Sequence, residues 1–218
     1  MPISHRHQAI FIHIPKTGGT SIEAALGMHG DRQDIGVVPY PNQEIDREHL
    51  YGRGLQHLTA EGLRRELGDE ATFRSYFKFA LVRNPWDRLV STCAWSGKKW
   101  ALGHELGHEE FEAFVRKTHA ASRVGFPAAV AEVPVVHVIP QSRFVLDANG
   151  RSMLDFVGRF ENLLQDWRVI RDRLGIDAEL PTRMKSRHRP YREYYDAETR
   201  EMAAEIYSGD IEAFGYQF

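Results

Sequence analysis

The sequence Phe11-Ile12-His13-Ile14-Pro15-Lys16-Thr17-Gly18-Gly19-Thr20-Ser21 joins an apolar run to a glycine-rich turn. The run that starts at Ala9 has the length and the β-branched content of a buried strand. Pro15 ends this strand, because proline has no N–H to donate to a sheet ladder. The paired glycines then allow a sharp turn, after which Thr20 or Ser21 can begin a helix. Strand, tight loop and helix in this order indicate an α/β protein.

The loop of this stretch carries groups that bind anions. Its backbone N–H groups and the positive end of the following helix point to one place, which is typical of a phosphate or sulfate site. A lysine, two glycines and three hydroxyl residues make up the candidate ligands, which are Lys16, Thr17, Gly18, Gly19, Thr20 and Ser21. The alternative is an ordinary glycine-containing connection with a solvated lysine. In the loop of ATPases and GTPases the lysine follows the glycines, whereas here it precedes them, so we expect an unusual nucleotide.

Composition limits the possible functions. The net charge of −2 and the pI near 6.6 argue against a general nucleic-acid binder, because no overall basic field attracts the phosphate backbone. We find no run of eighteen apolar residues and no apolar signal region, so we expect no membrane insertion. Cys93 is the only cysteine, which excludes an internal disulfide, argues against a cysteine-based metal site and fits the cytoplasm.

A second strand and helix meet at Arg83. Residues 76–82 form an apolar run that predicts a strand, and Asn84 with Pro85 is a strong helix start. Ligands of open α/β sheets collect at the carboxyl ends of strands, so Arg83 has a geometric reason to bind an anion beside the first loop. The alternative is a surface ion pair between Arg83 and Asp87. Ser91 lies two turns along the predicted helix.

Local patterns predict further elements. Thr59 is placed to cap a short helix, as Asp196 is for a later one. We predict helices at 59–67, 109–119, 161–174 and 196–207, and short strands at 135–139, 144–146 and 154–160. We find no internal repeat and no linker rich enough to divide the chain, so the sequence predicts a single domain over residues 1–218.

Two motifs of this chain resemble those of sulfotransferases that use 3′-phosphoadenosine 5′-phosphosulfate (PAPS). They are HIPKTGGTS at 13–21 and LVRNPWDRLVS at 81–91, and they stand in the same order and context. The segments FVGRFENL at 156–163 and 210–218 extend the similarity nearly from end to end. The chain is most similar to bacterial relatives of the carbohydrate sulfotransferases of the heparan and chondroitin type. The resemblance implies a P-loop-like three-layer α/β fold, with a central, mainly parallel sheet flanked by helices.

The resemblance also implies roles for individual residues. The loop from Lys16 to Ser21 would hold the 5′-phosphosulfate, and Arg83 and Ser91 would bind the 3′-phosphate. An arginine side chain suits this second task, since its planar fork matches a phosphate. The basic segment 183–192 resembles the loop that closes over the 3′-phosphate, which makes Lys185, Ser186 and Arg187 candidate ligands. The alternative for this segment is a solvated run of charge.

The implied reaction is an in-line transfer of a sulfuryl group from PAPS to an acceptor hydroxyl, without a metal ion. Lys16 would stabilise the charge that develops on the leaving phosphate. A base should remove the proton of the acceptor, and histidine suits this role. We select His57, because the string from His57 to Ala60 resembles a family element that supplies the base in some members. A structural role for His57 stays open, with Glu23 or Glu48 as alternative bases.

Three classes of function are compatible with these patterns. The first is a sulfotransferase that acts on a hydroxyl of a saccharide or other small metabolite. The second is a nucleotide-dependent kinase, which predicts ATP binding and dependence on Mg²⁺ but has a different loop order. The third is a protein that binds PAPS or its desulfated product, 3′-phosphoadenosine 5′-phosphate (PAP), without catalysis.

Overall fold

The computed structural model describes residues 3–28, 57–96, 105–126, 129–130, 133–181 and 188–218. The strands in these ranges are β1 (Ile3–Ser4), β2 (Ala9–Ile12), β3 (Phe77–Val82), β4 (Ala129–Val130), β5 (Val133–Pro134) and β6 (Phe156–Arg159). The helices are α1 (Gly19–Ala25), α2 (Ala60–Leu67), α3 (Glu70–Ser75), α4 (Pro85–Trp95), α5 (His108–Arg123), α6 (Ser142–Val145), α7 (Leu163–Leu174), α8 (Ala197–Ile206) and α9 (Ser208–Phe214). Short 3₁₀ helices cover Val135–His137, Phe160–Asn162 and Tyr191–Tyr194.

A four-stranded sheet in the order β1-β2-β3-β6 forms the centre of the fold. Strands β2, β3 and β6 are parallel, and the short β1 pairs with β2 in the antiparallel sense. In the parallel ladders Ile12 lies beside Ala80, and Val82 lies beside Arg159. The carboxyl ends of the three parallel strands therefore lie at one edge of the sheet. The predicted α/β class, with a mainly parallel sheet flanked by helices, is confirmed.

The chain forms two compact units, and the first contains the sheet. It comprises Met1–Val82 and Arg143–Arg183. Alternate residues of the strands pack against α1 and α7 through a cluster of apolar side chains, chiefly Phe11, Phe79, Leu81, Ile22, Leu26, Trp167 and Ile170. The rings of Phe11 and Phe79 stack with centroids 5.1 Å apart. Removal of these side chains from water stabilises the sheet by about 25 cal/mol for each Å² of apolar surface.

The second unit is mainly helical and comprises Arg83–Ser142 and Met184–Phe218. It contains α4, α5, α8 and α9 and the antiparallel pair of β4 and β5. Arg116 on α5 forms ion pairs with Glu112 and with Glu198 on α8. The ring of Phe111 on the same helix packs against Tyr195 with centroids 4.8 Å apart. That the two units form one domain over residues 1–218 remains a prediction from the sequence.

Local signals predicted several helix starts correctly. The side chain of Thr59 accepts a hydrogen bond from the N–H of Gly62, as expected for an N-cap. Asp196 and Thr199 form a capping box at the start of α8.

No helix in the described ranges combines the length and the apolar character needed to cross a membrane.

The predicted strand at 135–139 is wrong, because this segment forms the 3₁₀ helix Val135–His137. The N–H of Val138 bonds to the carbonyl oxygen of Val135 at 2.9 Å, which closes the turn. The buried Arg88 donates to the carbonyl oxygens of His137, at 3.3 Å, and of Ile139, at 2.6 Å. A guanidinium thus supplies donors that a neighbouring strand would otherwise provide.

The predicted strand at 144–146 is also wrong. Residues Ser142–Val145 form the short helix α6, and Leu146 makes one isolated bridge to Ser152. Asp210, far along the sequence, accepts hydrogen bonds from the N–H groups of Gln141 and Ser142 at the start of α6. A long-range cap of this kind cannot be predicted from the local apolar pattern.

Candidate functional site

The loop between β2 and α1 follows a tightly constrained path. The N–H of Ile14 bonds to the carbonyl oxygen of Ile12 at 3.1 Å. Lys16 has a φ of 70° and Gly18 a φ of 85°, so the chain enters the left-handed region twice within three residues. Left-handed residues in a tight loop can turn successive N–H groups toward one side, as in a backbone anion site.

The hydroxyl of Thr17 is engaged within the loop. Its Oγ1 donates to the carbonyl oxygen of Ile14 at 2.9 Å, and the whole residue is buried. A hydroxyl has one hydrogen to donate. We therefore expect Thr17 to reach an anion through its backbone N–H rather than through its side chain.

At each glycine of the pair, a neighbouring aromatic ring leaves little room for a side chain. A Cβ atom at Gly19 would overlap the imidazole of His13. A Cβ atom at Gly18 would lie 3.2 Å from two ring carbons of Phe160, in addition to the positive φ of that residue. The two glycines therefore allow the loop to lie directly against side chains from the end of β2 and from the segment after β6.

His13 and Glu23 join the end of β2 to α1. Nδ1 of His13 lies 2.8 Å from Oε1 of Glu23, and the two side chains are 6% and 1% exposed. A buried polar pair of this kind is costly to break, because each group would be left without its partner. The pair holds the imidazole of His13 over Gly19.

His57 lies against the same strand end. Its Nδ1 lies 2.8 Å from the main-chain oxygen of His13, and the two rings are 4.6 Å apart between centroids. A carbonyl oxygen can only accept, so Nδ1 of His57 carries the hydrogen and Nε2 carries the lone pair of the neutral ring. This is the tautomer that lets Nε2 accept a proton. His57 also has a φ of 70°.

The surroundings keep His57 neutral. Burial, followed by the nearby His13, lowers the pKa of His57 from 6.5 to about 3, and Lys16 acts in the same direction. The ammonium of Lys16 is therefore close enough to affect the imidazole electrostatically. A positive charge and a neutral proton acceptor thus lie near each other in the first unit.

In the second unit, Arg83 is held by both its main chain and its side chain. Oε1 of Gln141 accepts from the Arg83 N–H at 2.9 Å, and Nε2 of Gln141 donates to the Arg83 carbonyl oxygen at 2.8 Å. Nε of Arg83 donates to Oδ2 of Asp87 at 2.8 Å. The ion pair considered as an alternative is present, but the Arg83 side chain is only 7% exposed, so it is not a surface pair.

The helix that follows Arg83 begins as the sequence predicts. Oδ1 of Asn84 accepts from the N–H groups of Trp86 and Asp87, and Pro85 occupies the first turn. Nδ2 of Asn84 donates to the main-chain oxygen of Gln217 at 2.9 Å. Ser91 lies on the same helix and is buried.

The predicted site residues fall into two groups. The loop from Lys16 to Ser21 lies with His57 in the first unit, whereas Arg83 and Ser91 lie in the second. The candidate ligands Lys185, Ser186 and Arg187 are outside the described residues, as is the alternative base Glu48. Another alternative base, Glu23, is bonded to His13.

Gln141 and Asp210 are not among the site residues predicted from the sequence. Asp210 lies in the terminal segment 210–218, and the resemblance of that segment to the family is the one signal that could have identified it. No sequence signal distinguishes Gln141, which is a single amide residue after a proline.

In the ranges that the structure describes, no three histidine, cysteine, aspartate or glutamate side chains cluster in a way that could hold a metal ion.

Comparison with known proteins gives one finding. Neither the search of curated proteins nor that of solved structures found a match to the chain. A family model described as the sulfotransferase family matches residues 1–217, which is almost the entire length. The chain therefore belongs to the sulfotransferase family, whose members transfer sulfuryl groups.

Proposed function

We propose that this chain is a PAPS-dependent O-sulfotransferase, in which Lys16 and His57 act on the reacting groups. The observation that carries the proposal is the hydrogen bond from His57 to the main-chain oxygen of His13. It leaves the lone pair on Nε2 of an imidazole whose pKa is affected by Lys16. A proton acceptor and a cation for the leaving group are the two elements that an in-line sulfuryl transfer requires.

Lys16 and the loop are suited to the 5′ end of the donor. As the sulfur atom bonds to the acceptor oxygen, the bond from sulfur to the phosphate oxygen breaks and PAP leaves with additional negative charge. The ammonium of Lys16 and the N–H groups of residues 16–20 can stabilise that charge, whereas the N–H of Ser21 bonds to the carbonyl oxygen of Gly18. A preorganised donor of this type contributes about 10²- to 10³-fold to the rate in enzymes that stabilise oxyanions.

His57 is suited to a proton transfer late in the reaction. With a pKa of about 3 it is a weak base toward a free alcohol. The acceptor hydroxyl becomes strongly acidic as its oxygen bonds to sulfur, and then a weak base is sufficient to take the proton at Nε2. The negative charges of the donor would also raise the pKa of His57, since an adjacent anion favours the imidazolium.

Arg83 and Ser91 are proposed ligands of the 3′-phosphate. The bond from Nε of Arg83 to Asp87 fixes the plane of the guanidinium. An arginine has five N–H donors in a fixed fork, one on Nε and four on its two terminal nitrogens. A fork of this kind recognises a phosphate by geometry as well as by charge.

The acceptor is proposed to be a saccharide hydroxyl. This proposal depends on the resemblance to the carbohydrate sulfotransferases, and specifically to their bacterial relatives. Family membership itself implies a hydroxyl-bearing acceptor in general. Assays with neutral and acidic oligosaccharides as acceptors would distinguish a saccharide from another small metabolite.

The donor site can be tested by titrating the purified protein with PAP in the presence of EDTA. The variants are Lys16→Ala, Arg83→Ala and His57→Ala. Matched controls are Arg65→Ala in the first unit and Arg123→Ala in the second, because both side chains are more than two-thirds exposed, at 77% and 71%. We expect wild-type binding at about micromolar Kd, which corresponds to about −8 kcal/mol.

The expected pattern separates the roles of the residues. Lys16→Ala and Arg83→Ala should each weaken PAP binding by about 10- to 100-fold, as expected for loss of a charged hydrogen bond. His57→Ala and both control variants should bind PAP like the wild type. Binding of ATP with Mg²⁺ but not of PAP would overturn the proposal in favour of a kinase. Binding of PAP without turnover of any acceptor would indicate a non-catalytic binding protein.

A further inference from the structure

We infer that Gln141 and Asp210 are positioning residues that hold Arg83 in the conformation that binds the 3′-phosphate of the donor. The inference depends on the proposed function and concerns only the second unit, which contains all three residues. It assigns a role in nucleotide recognition to two buried side chains that would not themselves touch the nucleotide.

The main chain of Arg83 is bonded on both sides by one side chain. Strand β3 ends at Val82, so the N–H and carbonyl groups of Arg83 lie beyond the sheet ladder. Both groups bond to one side chain, because the amide of Gln141 accepts from the N–H at 2.9 Å and donates to the oxygen at 2.8 Å. A primary amide can form this pair of bonds because it has an acceptor and a donor side by side.

Asp210 in turn fixes Gln141. Its Oδ2 accepts from the main-chain N–H of Gln141 at 2.9 Å and lies 3.2 Å from the side-chain Nε2. Its Oδ1 accepts from the N–H of Ser142 at 2.7 Å. Gln141 and Asp210 are both 0% exposed, so water cannot replace these bonds. One carboxylate on α9 therefore orients both the main chain and the side chain of Gln141.

The side chain of Arg83 is restrained separately through Asp87. With its main chain clamped by Gln141 and its Nε bonded to Asp87, the guanidinium has few conformations left. Recognition of a phosphate by a planar fork depends on such preorganisation, because misplacement of the fork loses the paired bonds. Gln141 and Asp210 are thus expected to affect affinity for the 3′-phosphate without contacting it.

The experiment compares two ligands that differ only in the 3′-phosphate, PAP and adenosine 5′-phosphate (AMP). The Kd for AMP divided by the Kd for PAP reports the contribution of the 3′-phosphate. A general loss of folded protein affects both nucleotides alike, so it does not change this ratio. The variants are Gln141→Leu, which removes both bonds to Arg83, and Asp210→Asn, which exchanges one acceptor oxygen for a donor. The control is Thr199→Val, which removes the side-chain hydrogen bonds of the α8 capping box and lies outside the clamp formed by Arg83, Gln141 and Asp210.

We expect Gln141→Leu to lower the ratio by about tenfold and Asp210→Asn by about three- to tenfold, in line with loss of an oriented charged hydrogen bond. AMP affinity should stay within about twofold of the wild type, and Thr199→Val should leave the ratio unchanged. Unchanged ratios in folded Gln141→Leu and Asp210→Asn would overturn the inference. A wild type that fails to bind PAP would instead refute the proposed function, so the two failures are distinguishable.

Hydrogen exchange of the wild type decides the question even if the variants do not fold. If the clamp and the bound phosphate stabilise each other, PAP should slow exchange of the N–H groups of Arg83, Gln141 and Ser142 more than saturating AMP does. Equal protection by the two nucleotides at these three amides would contradict the inference.

Discussion

The imidazole of His57 is hydrogen-bonded through Nδ1 to the main-chain oxygen of His13, at 2.8 Å. This contact joins residues that are 44 positions apart and brings the candidate base to the end of β2. The ring of His13 is itself bonded to Glu23 and lies over Gly19. The candidate base and the glycine loop therefore depend on one strand end.

The first prediction concerns pH and His57. The pKa of His57 is about 3 in the folded protein, compared with 6.5 for the unfolded chain. Between pH 6.5 and about 3, the unfolded chain therefore binds a proton that the folded protein does not. Stability is then lost as the pH falls through this range, by at most about 1.4 kcal/mol per pH unit. Replacement by His57→Asn should make the decline less steep.

Urea unfolding of wild type and His57→Asn at several pH values between 7 and about 4 measures this difference. The two proteins should differ most in slope below pH 6. Parallel curves for the two proteins would show that His57 does not resist protonation in the folded state.

The second prediction concerns the close approach at Gly19. Gly19→Ala would push a methyl group into the imidazole of His13, which is held by Glu23 and cannot move without breaking a buried bond. We expect a loss of about 1–3 kcal/mol in the free energy of unfolding, as for other overpacked sites, together with weaker PAP binding. Denaturant unfolding and calorimetric titration measure the two effects.

Gly107→Ala is the matched control for this substitution. Gly107, like Gly19, lies at the start of a helix without a positive φ, as the N-cap of α5, but a Cβ atom there would meet none of the described atoms within 4 Å. It should lose about 1 kcal/mol or less, as expected at an N-cap position, and should retain PAP binding. Similar losses in both variants would contradict the steric explanation.

The third prediction separates charge from geometry at Arg83. Arg83→Lys keeps the positive charge but loses the planar fork and the Nε bond to Asp87. We expect PAP to bind about tenfold more weakly and AMP to bind as before, which a pair of titrations can measure. The exposed Arg123→Lys should change neither affinity. Equal weakening for both nucleotides would mean that Arg83 does not recognise the 3′-phosphate.

The fourth prediction concerns the charge at Lys16 during transfer. Lys16→Met should lower the rate of sulfuryl transfer from PAPS by about 10²- to 10³-fold, because the leaving phosphate loses its cation. Transfer to water provides an assay that needs no known acceptor, with release of PAP as the signal. Arg65→Met should keep the wild-type rate. A wild-type rate in Lys16→Met would exclude Lys16 from the chemistry.

Much of the fold could be predicted from the sequence, because its signals are local. Asn84 and Pro85 begin α4, and Asp196 begins α8 through neighbours a few positions away. The strand predicted before Pro15 is present, but it ends at Ile12, where the N–H of Ile14 bonds back to the carbonyl oxygen of Ile12. The apolar runs at 135–139 and 144–146 carry no such local signal. Their conformation depends on donors and acceptors from Arg88 and Asp210, so the local pattern predicted strands where the chain forms helical turns.

The sequence by itself determined which chemical groups stand at the ends of the strands, namely a lysine in a glycine loop after β2 and an arginine after β3. The spacing of apolar residues, glycine and proline suffices for that, since backbone conformation responds to near neighbours. Only the tertiary structure decided the tautomer of His57 and the clamp on Arg83. Both depend on hydrogen bonds between residues more than forty positions apart, which exist only once folding has excluded water from them.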